Sequence, residues 1–264
     1  MRSLTIRKKA AEVLALAVLV PALASCGSAS SGSTSAGSTA STSQSSVSSS
    51  TASSSSATTC QAATAVDSSG TSASQAGMQA EGAWTGGDYA TALAWAKVAA
   101  AGGDATGQRI LAILYLDGDC VATDYHQALT LLKKATAAGD MKAPRYLGQI
   151  YTEGLGVTTN AEKGASDYQT GVDRGDISSM VALGDLYVDG SGVSRDYAKA
   201  LALYTKAAER ADHVGAPAMT AIGKLYEKGL GVQKSLSTAA TWYRKAIAAG
   251  DTSAQADLDR VTAS

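Results

Sequence analysis

The chain has no phenylalanine, only two histidines and three cysteines, and a net charge of −1 over 264 residues. Each shortage narrows what it can do. Charge this close to zero gives no electrostatic basis for nucleic-acid binding, which needs a basic face. The two histidines, His126 and His213, have no Ser or Cys nearby in a nucleophile elbow. No Ser-x-x-Lys, His-Glu-x-x-His or Walker pattern occurs. Asp185 and Asp189 form a carboxylate pair that reads as a solvated helix face rather than as an acid and a base. No catalytic, metal or cofactor-binding residue is therefore assigned, and no cofactor is expected. Abundant alanine replaces the missing phenylalanine, and small side chains suit closely packed helices.

What is present is a repeat. Residues 183–193 read Leu-Gly-Asp-Leu-Tyr-Val-Asp-Gly-Ser-Gly-Val, and the phrase returns at 147–157 and 222–232, and in altered form at 111–121. Leu183 and Tyr187 are four apart, so they share one face of a helix. Gly184 lets another helix approach closely. Gly190 and Gly192 supply the left-handed backbone that ends a helix. Downstream, Ala200, Leu203, Tyr204 and Ala207 have helical spacing. The phrase predicts the end of one helix and a tight turn into an antiparallel partner. Tyr115, Tyr151 and Tyr187 are 36 residues apart, and Tyr226 lies 39 further on. Gly103-Asp104 recurs at Gly139-Asp140, Gly175-Asp176 and Gly250-Asp251, where Gly closes one unit and Asp can cap the next. A period of this length marks a solenoid.

The pattern resembles the Sel1-like repeat, a relative of the tetratricopeptide repeat. Its last copy carries Ile222-Gly223, Tyr226, Gly229, Gly231-Val232, Trp242-Tyr243, Lys245-Ala246 and Gly250. The resemblance covers about residues 85–260. It implies an all-α, right-handed α-solenoid of helix hairpins that serves as a protein-interaction scaffold. The expected units are about 74–104, 105–140, 141–176, 177–216 and 217–251, with a cap at 252–264. The turns Gly-x-Gly-Val follow a helix and recur once per unit, so they read as structural turns and not as phosphate loops.

The first 25 residues read as a targeting segment. Arg2, Arg7, Lys8 and Lys9 precede an apolar run that is short for a bilayer span. The run ends in Leu23-Ala24-Ser25-Cys26, which resembles a bacterial lipobox. That resemblance implies cleavage before Cys26 and lipidation of its thiol; the alternative is an ordinary secretory signal cut near Ala24 or Ser25. Gly27 resembles the outer-membrane sorting pattern, so the expected location is the cell envelope, anchored to the outer membrane and facing the periplasm. Cleavage would leave 18 basic and 22 acidic residues, a net charge of −4. From 26 to 73 the chain is a lipidated Cys and a linker, its 27–59 portion being almost wholly Ser, Thr, Ala and Gly. Such a stretch cannot bury enough surface to fold. As a flexible coil it spans about 30 Å; a glycosylated stalk is the alternative.

Four expectations concern the repeats themselves. Cys120 stands where the other turns have their second Gly, and with Cys26 lipidated it leaves Cys60 as its disulfide partner, or both as free thiols. By loop entropy such a bridge stabilises by about 4 kcal/mol. Neither Cys has metal-ligand spacing around it. Gly164 and Gly171 fall inside the second helix of the 141–176 unit, predicting a locally soft helix. Pro217 reads as a first-turn residue after a lengthened loop near 210–215. In tetratricopeptide-type stacks the first helix of each unit lines a concave groove. Carried onto this sequence, that gives Arg109, Ile113 and Leu116; Arg145, Gln149 and Thr152; Val181, Asp185 and Val188; and Thr220, Lys224 and Glu227. The groove would hold an extended or helical peptide of an envelope protein. Competing expectations are a subunit of an exopolysaccharide-export or cell-wall machine, or an enzyme acting on cell-wall material. Sel1-like proteins credited with the last activity carry a Cys pair in each hairpin, which this chain lacks.

Overall fold

The structure, a computed structural model, describes residues 66–263. The expected signal segment, Cys26, most of the expected linker and Cys60 lie outside the described residues. Eleven α-helices account for most of the described chain: α1 (Ala73–Gly86), α2 (Tyr89–Ala101), α3 (Ala105–Asp117), α4 (Tyr125–Ala137), α5 (Ala143–Glu153), α6 (Ala161–Asp173), α7 (Ile177–Asp189), α8 (Tyr197–Ala208), α9 (Ala216–Lys228), α10 (Leu236–Ala248) and α11 (Ala254–Thr262). They form consecutive hairpins, each helix packed on the next, with α11 closing the end on α10. Two pairs of odd-numbered helices also touch one another, α1 on α3 and α5 on α7, so the odd-numbered side is taken as the inner side of the stack.

Local chemistry explains the hairpins. Asp88, Asp124, Asn160, Asp196 and Ser235 each accept a hydrogen bond from the backbone N–H three residues on, capping α2, α4, α6, α8 and α10. Each such cap contributes about 1 kcal/mol. From α4 onward the same residues donate their own N–H to the carbonyl of Tyr115, Tyr151, Tyr187 or Tyr226. The tyrosine of the phrase is thus tied by its backbone to the cap of the following helix. Lys163 and Lys199, in the first turns of α6 and α8, lie over the rings of Tyr151 and Tyr187 at 4.5 and 5.3 Å.

The phrase glycine is a seat for an aromatic ring. A Cβ on Gly148, Gly184 or Gly223 would stand 2.6, 2.5 or 2.5 Å from the ring of Tyr168, Tyr204 or Tyr243 on the partner helix. In the α3–α4 hairpin the same places hold Ala112 and Leu132, both fully buried. A methyl is added on one helix where a ring is removed from the other, as a close-packed interior requires.

α6, which carries Gly164 and Gly171, is an unbroken helix of 13 residues. A Cβ on Gly164 would lie 2.4 Å from the Thr152 methyl, and one on Gly171 would lie within 2.1 Å of the Ser179 hydroxyl. Both are contact points through which α6 lies close to α5 and α7. The packing gained there offsets their poor helix propensity. Pro217 lies in the first turn of α9, where its missing N–H has no intrahelical acceptor to lose.

The turn holding Cys120 keeps its shape. Gly156, Gly192 and Gly231 have φ between 66° and 69°, and Cys120, the one non-glycine with positive φ among the described residues, has φ 59°. At the three glycines a Cβ would run into the first residue of the preceding even-numbered helix: Tyr125, Ala161 or Tyr197. A side chain in this backbone conformation costs on the order of 1–2 kcal/mol. Cys120 is disulfide-bonded, a covalent tie that offsets the strain. Its partner lies outside the described residues.

Candidate partner-binding face

In three of the four phrases the residue two places before the leading leucine or isoleucine is a staple between units. Arg109 is 2 % exposed. Its Nε donates to Asp140 Oδ2 at 3.0 Å and its Nη2 to Glu81 Oε1 at 3.1 Å, while Lys142 Nζ reaches the same Glu81 oxygen at 2.9 Å. Asp140 Oδ1 in turn accepts the N–H groups of Lys142 and Ala143, shaping the entry to α5. Burial works against the charge on Arg109, but Asp140 and Glu81 beside it hold its pKa above the usual value. One unit on, Arg145 Nη1 lies 3.7 Å from Asp176 Oδ1, and Asp176 caps α7. In the last unit Thr220 donates to Asp251 Oδ2 at 2.7 Å.

This geometry corrects part of the expected groove. Arg109 is consumed by its ion pairs. Ile113 and Leu116, 1 % and 5 % exposed, belong to the apolar core. α1 packs directly on α3 and closes the face those residues would have lined. At the other end Thr220 is buried, and the side chains of α11 cover the rest: Arg260 donates to both Glu227 oxygens at 2.8 Å, and Lys224 Nζ stands 3.7 Å from Asp257. Hydrogen bonding from Arg260 holds the Glu227 carboxyl below its ordinary range. Arg145 is half-buried over the ring of Tyr146, at 4.5 Å.

The middle of the face stays accessible. Gln149, Thr152, Val181 and Val188 are half-buried and Asp185 is exposed. Gln149 donates to Glu153, and Thr152 bonds back to the Gly148 carbonyl. Tyr204 donates its hydroxyl to Asp185 Oδ1 at 2.6 Å, and Tyr243 does the same to Glu227 Oε2. Asp185 is reached by solvent yet hemmed in by protein, as on an inner wall. That desolvation pushes its pKa up, against the bond from Tyr204. Burial, then the neighbouring carboxylate, pushes the Tyr204 hydroxyl far above its usual range; burial alone dominates at Tyr168, pushed up to about 12.

Sequence reasoning missed a second row on this face. Asp117, Glu153 and Asp189 end α3, α5 and α7 at 36-residue intervals, and all are exposed; Lys228 takes the place at the end of α9. The signal was visible, an acidic residue directly before the turn glycine in three successive phrases. Glu153 and Asp185 both act on Tyr168, and Asp185 and Asp189 both act on Tyr204, so the row is electrostatically continuous across neighbouring hairpins. Asp117 is pushed up to about 6, by desolvation first and then by Asp119.

His126, in the first turn of α4, and His213, in the α8–α9 loop, are both exposed. Among the described residues no group of three or more His, Cys, Asp or Glu is placed to hold a metal, and no helix is long and apolar enough to cross a membrane. Two shallow pockets among the described residues adjoin charged or apolar helix surfaces. One of about 410 Å³ is lined by Glu81, Arg109, Asp140, Met141 and Lys142, whose charges are already paired with one another. The other, of about 480 Å³, lies between α8 and α10.

The fold can be set beside known proteins. A Sel1 repeat protein from Oxalobacter formigenes superposes with a TM-score of 0.64 at 24 % identity, covering 75 % of this chain and 82 % of that one. A protective antigen present in uropathogenic Escherichia coli strains, displaying an SLR fold, matches at 31 % identity and a TM-score of 0.58; the match spans 71 % of this chain but 40 % of the antigen. A putative Sel1 repeat protein from Klebsiella pneumoniae gives 22 % identity and a TM-score of 0.53 over 72 % of this chain and 93 % of that one. No curated protein matches the chain significantly. The Sel1 repeat itself matches residues 76–104, 105–140, 144–166, 177–212 and 216–251, one for each hairpin described above. The chain belongs to the Sel1 repeat family.

Proposed function

We propose that this protein is a lipid-anchored adaptor of the bacterial cell envelope, its repeat array held off the membrane by the Ser-rich linker and docking a protein partner on the inner face of the odd-numbered helices. The observation that carries the docking reading is the accessible row formed by Gln149, Glu153, Asp185 and Asp189. These side chains do little for packing, whereas the letters that define the repeat are spent on it. Its acidic character favours a basic segment of the partner. An oxidising compartment is supported by the disulfide at Cys120, since such bonds persist mainly outside the cytoplasm. Anchoring rests on the basic start, the apolar run and Cys26; several acyl chains on one Cys suffice for stable attachment.

Two experiments test the two halves separately. Cys26→Ala is expected to release the protein from the membrane fraction, and unchanged fractionation removes the anchor from the reading. For docking, a photo-crosslinking residue is placed in cells at Gln149 or Asp185, with Lys133 and Gln169 on the even-numbered helices as controls. Crosslinks to an envelope protein from the first pair and not from the second are expected. Crosslinks from the controls alone would place docking on the other side of the stack.

A further inference from the structure

Three of the four joints that follow a repeat phrase are stapled across 31 residues: Arg109 to Asp140, Arg145 to Asp176, and Thr220 to Asp251. The joint between α7–α8 and α9–α10 has no such link, although Asp212 stands 31 residues after Val181. Val181 stands where the others have Arg or Thr. Seven places before the phrase leucine or isoleucine, where Asp104, Asp140 and Asp176 precede Leu111, Leu147 and Leu183, the residue before Ile222 is Gly215. The three extra residues of the 39-residue interval displace the acid to Asp212, which pairs with Arg210 at 2.7 Å and holds the N–H groups of Val214 and Gly215. Among the described residues no hydrogen bond or ion pair joins α7–α8 to α9–α10, and Lys224 reaches Asp185 only through space. The contact is apolar, with Met180, Ala207 and Ala208 in one cluster with Ala218, Met219 and Ile222.

The outer side of the same joint is open as well. The pocket of about 480 Å³ lies there, lined by Thr205, Ala208, Met219, Trp242 and Ala249 among others. No directional bond fixes the register of this contact, and the pocket leaves free volume on one side of it.

We infer that the array bends at this joint, as two arms, α1–α8 and α9–α11, that rock between a pocket-open and a pocket-closed form. The bend lies between Asp185–Asp189 on one arm and Lys224–Lys228 on the other. It therefore sets the distance between the acidic and basic parts of the inner face, whatever that face binds.

The test is a pair of spin-label distances in the full chain, with labels on ketone-bearing unnatural residues so that the Cys120 disulfide stays intact. Labels at Gln169 in α6 and Arg244 in α10 span the joint. Labels at Lys133 in α4 and Lys206 in α8 span the same number of hairpins without it. The expected result is a distance distribution at least twice as broad for the first pair. Equal widths overturn the inference. A graft then restores the staple. Gly215 itself has no room for a side chain, since a Cβ would meet the Arg210 carbonyl at under 2 Å. Deleting residues 213–215 brings Asp212 to the seventh place before Ile222, and Ala211→Gly with Val181→Arg completes the pattern of the α4–α5 joint. The graft is expected to narrow the first distribution to the width of the second. A folded graft that leaves the width unchanged assigns the breadth to another cause. Ala248→Leu, which fills the pocket, should narrow it independently, and the wild-type comparison stands whether or not the graft folds.

Discussion

Arg109→Met should cost about 3 kcal/mol. The guanidinium makes two charged hydrogen bonds at 3 % side-chain exposure, to Asp140 at 7 % and to Glu81 at 32 %. Breaking a buried ion pair by removing one partner costs roughly 3–5 kcal/mol, because the other charge stays buried. Here the loss sits at the low end of that range. Asp140 Oδ1 keeps two backbone N–H groups and Glu81 keeps Lys142. Met retains most of the volume, so no large cavity adds to the loss. Asp140→Asn in the same background should recover roughly 1–2 kcal/mol, since the two residues share one network. Arg145→Met should cost less, about 1–2 kcal/mol, because its partner is 3.7 Å away and the group is more exposed. Urea titration followed by circular dichroism measures the total. Trp84 and Trp95, in α1 and α2, give fluorescence weighted to the N-terminal hairpins, with Trp242 in α10 as the distal reporter. In a repeat array the damage should stay near its site, so fluorescence should move to lower urea than the helix signal. A loss under about 0.5 kcal/mol, or no recovery with Asp140→Asn, would refute the staple and return Arg109 to the list of partner contacts.

Gly184→Ala should destabilise by about 2 kcal/mol, because its Cβ would stand 2.5 Å from the Tyr204 ring. Combining it with Tyr204→Leu should be less harmful than the sum of the two single changes, as the Ala112 and Leu132 pair implies; strict additivity in urea titrations would deny that the pair is one packing unit. Asp117 has a folded pKa of about 6, raised above its unfolded value. The folded state therefore binds the proton more tightly, and this group adds stability as pH falls from 6 towards 4. Asp117→Asn should raise stability at pH 7 by ~1 kcal/mol after allowance for solvent screening and should flatten that slope; a variant that loses stability at pH 7 contradicts the assignment. Cys120→Gly should be more stable than the wild type in reducing buffer by ~1 kcal/mol, having lost the left-handed strain. It should be less stable in oxidising buffer, where only the wild type keeps the disulfide. Thermal unfolding in the two buffers gives the sign in each.

Much of the fold was legible because helix hairpins are specified by neighbours in sequence. The caps at Asp88, Asp124, Asn160 and Asp196 act three residues away, and the turn glycines act where they stand. The phrase tyrosines bond to a residue nine positions on. Repetition then stacks identical units, so the existence and order of the hairpins follow from the 36-residue period. The seat of Tyr204 on Gly184 was half visible: the glycine announced a close approach, while the ring that makes it lay 20 residues downstream. That Gly164 and Gly171 are contact points for Thr152 and Ser179 was not legible, because helix propensity is a local preference and says nothing of which neighbour arrives.

The inner face was read less well, for the opposite reason. By itself the sequence determined which positions lie on one side of each odd-numbered helix, and that Cys120 interrupts the turn pattern. It could not show that Glu81 and Asp140, 28 and 31 residues from Arg109, converge on its guanidinium. Nor could it show that α1 closes over Ile113, or that α11 reaches back to Glu227. Ion pairs and burial depend on which helix of which unit arrives at a face, and packing alone decides that. The tertiary structure therefore moved the accessible surface to the middle hairpins. It also showed that one joint, where Val181 and Asp212 form no link, is held by apolar contact while its neighbours are stapled by polar bonds.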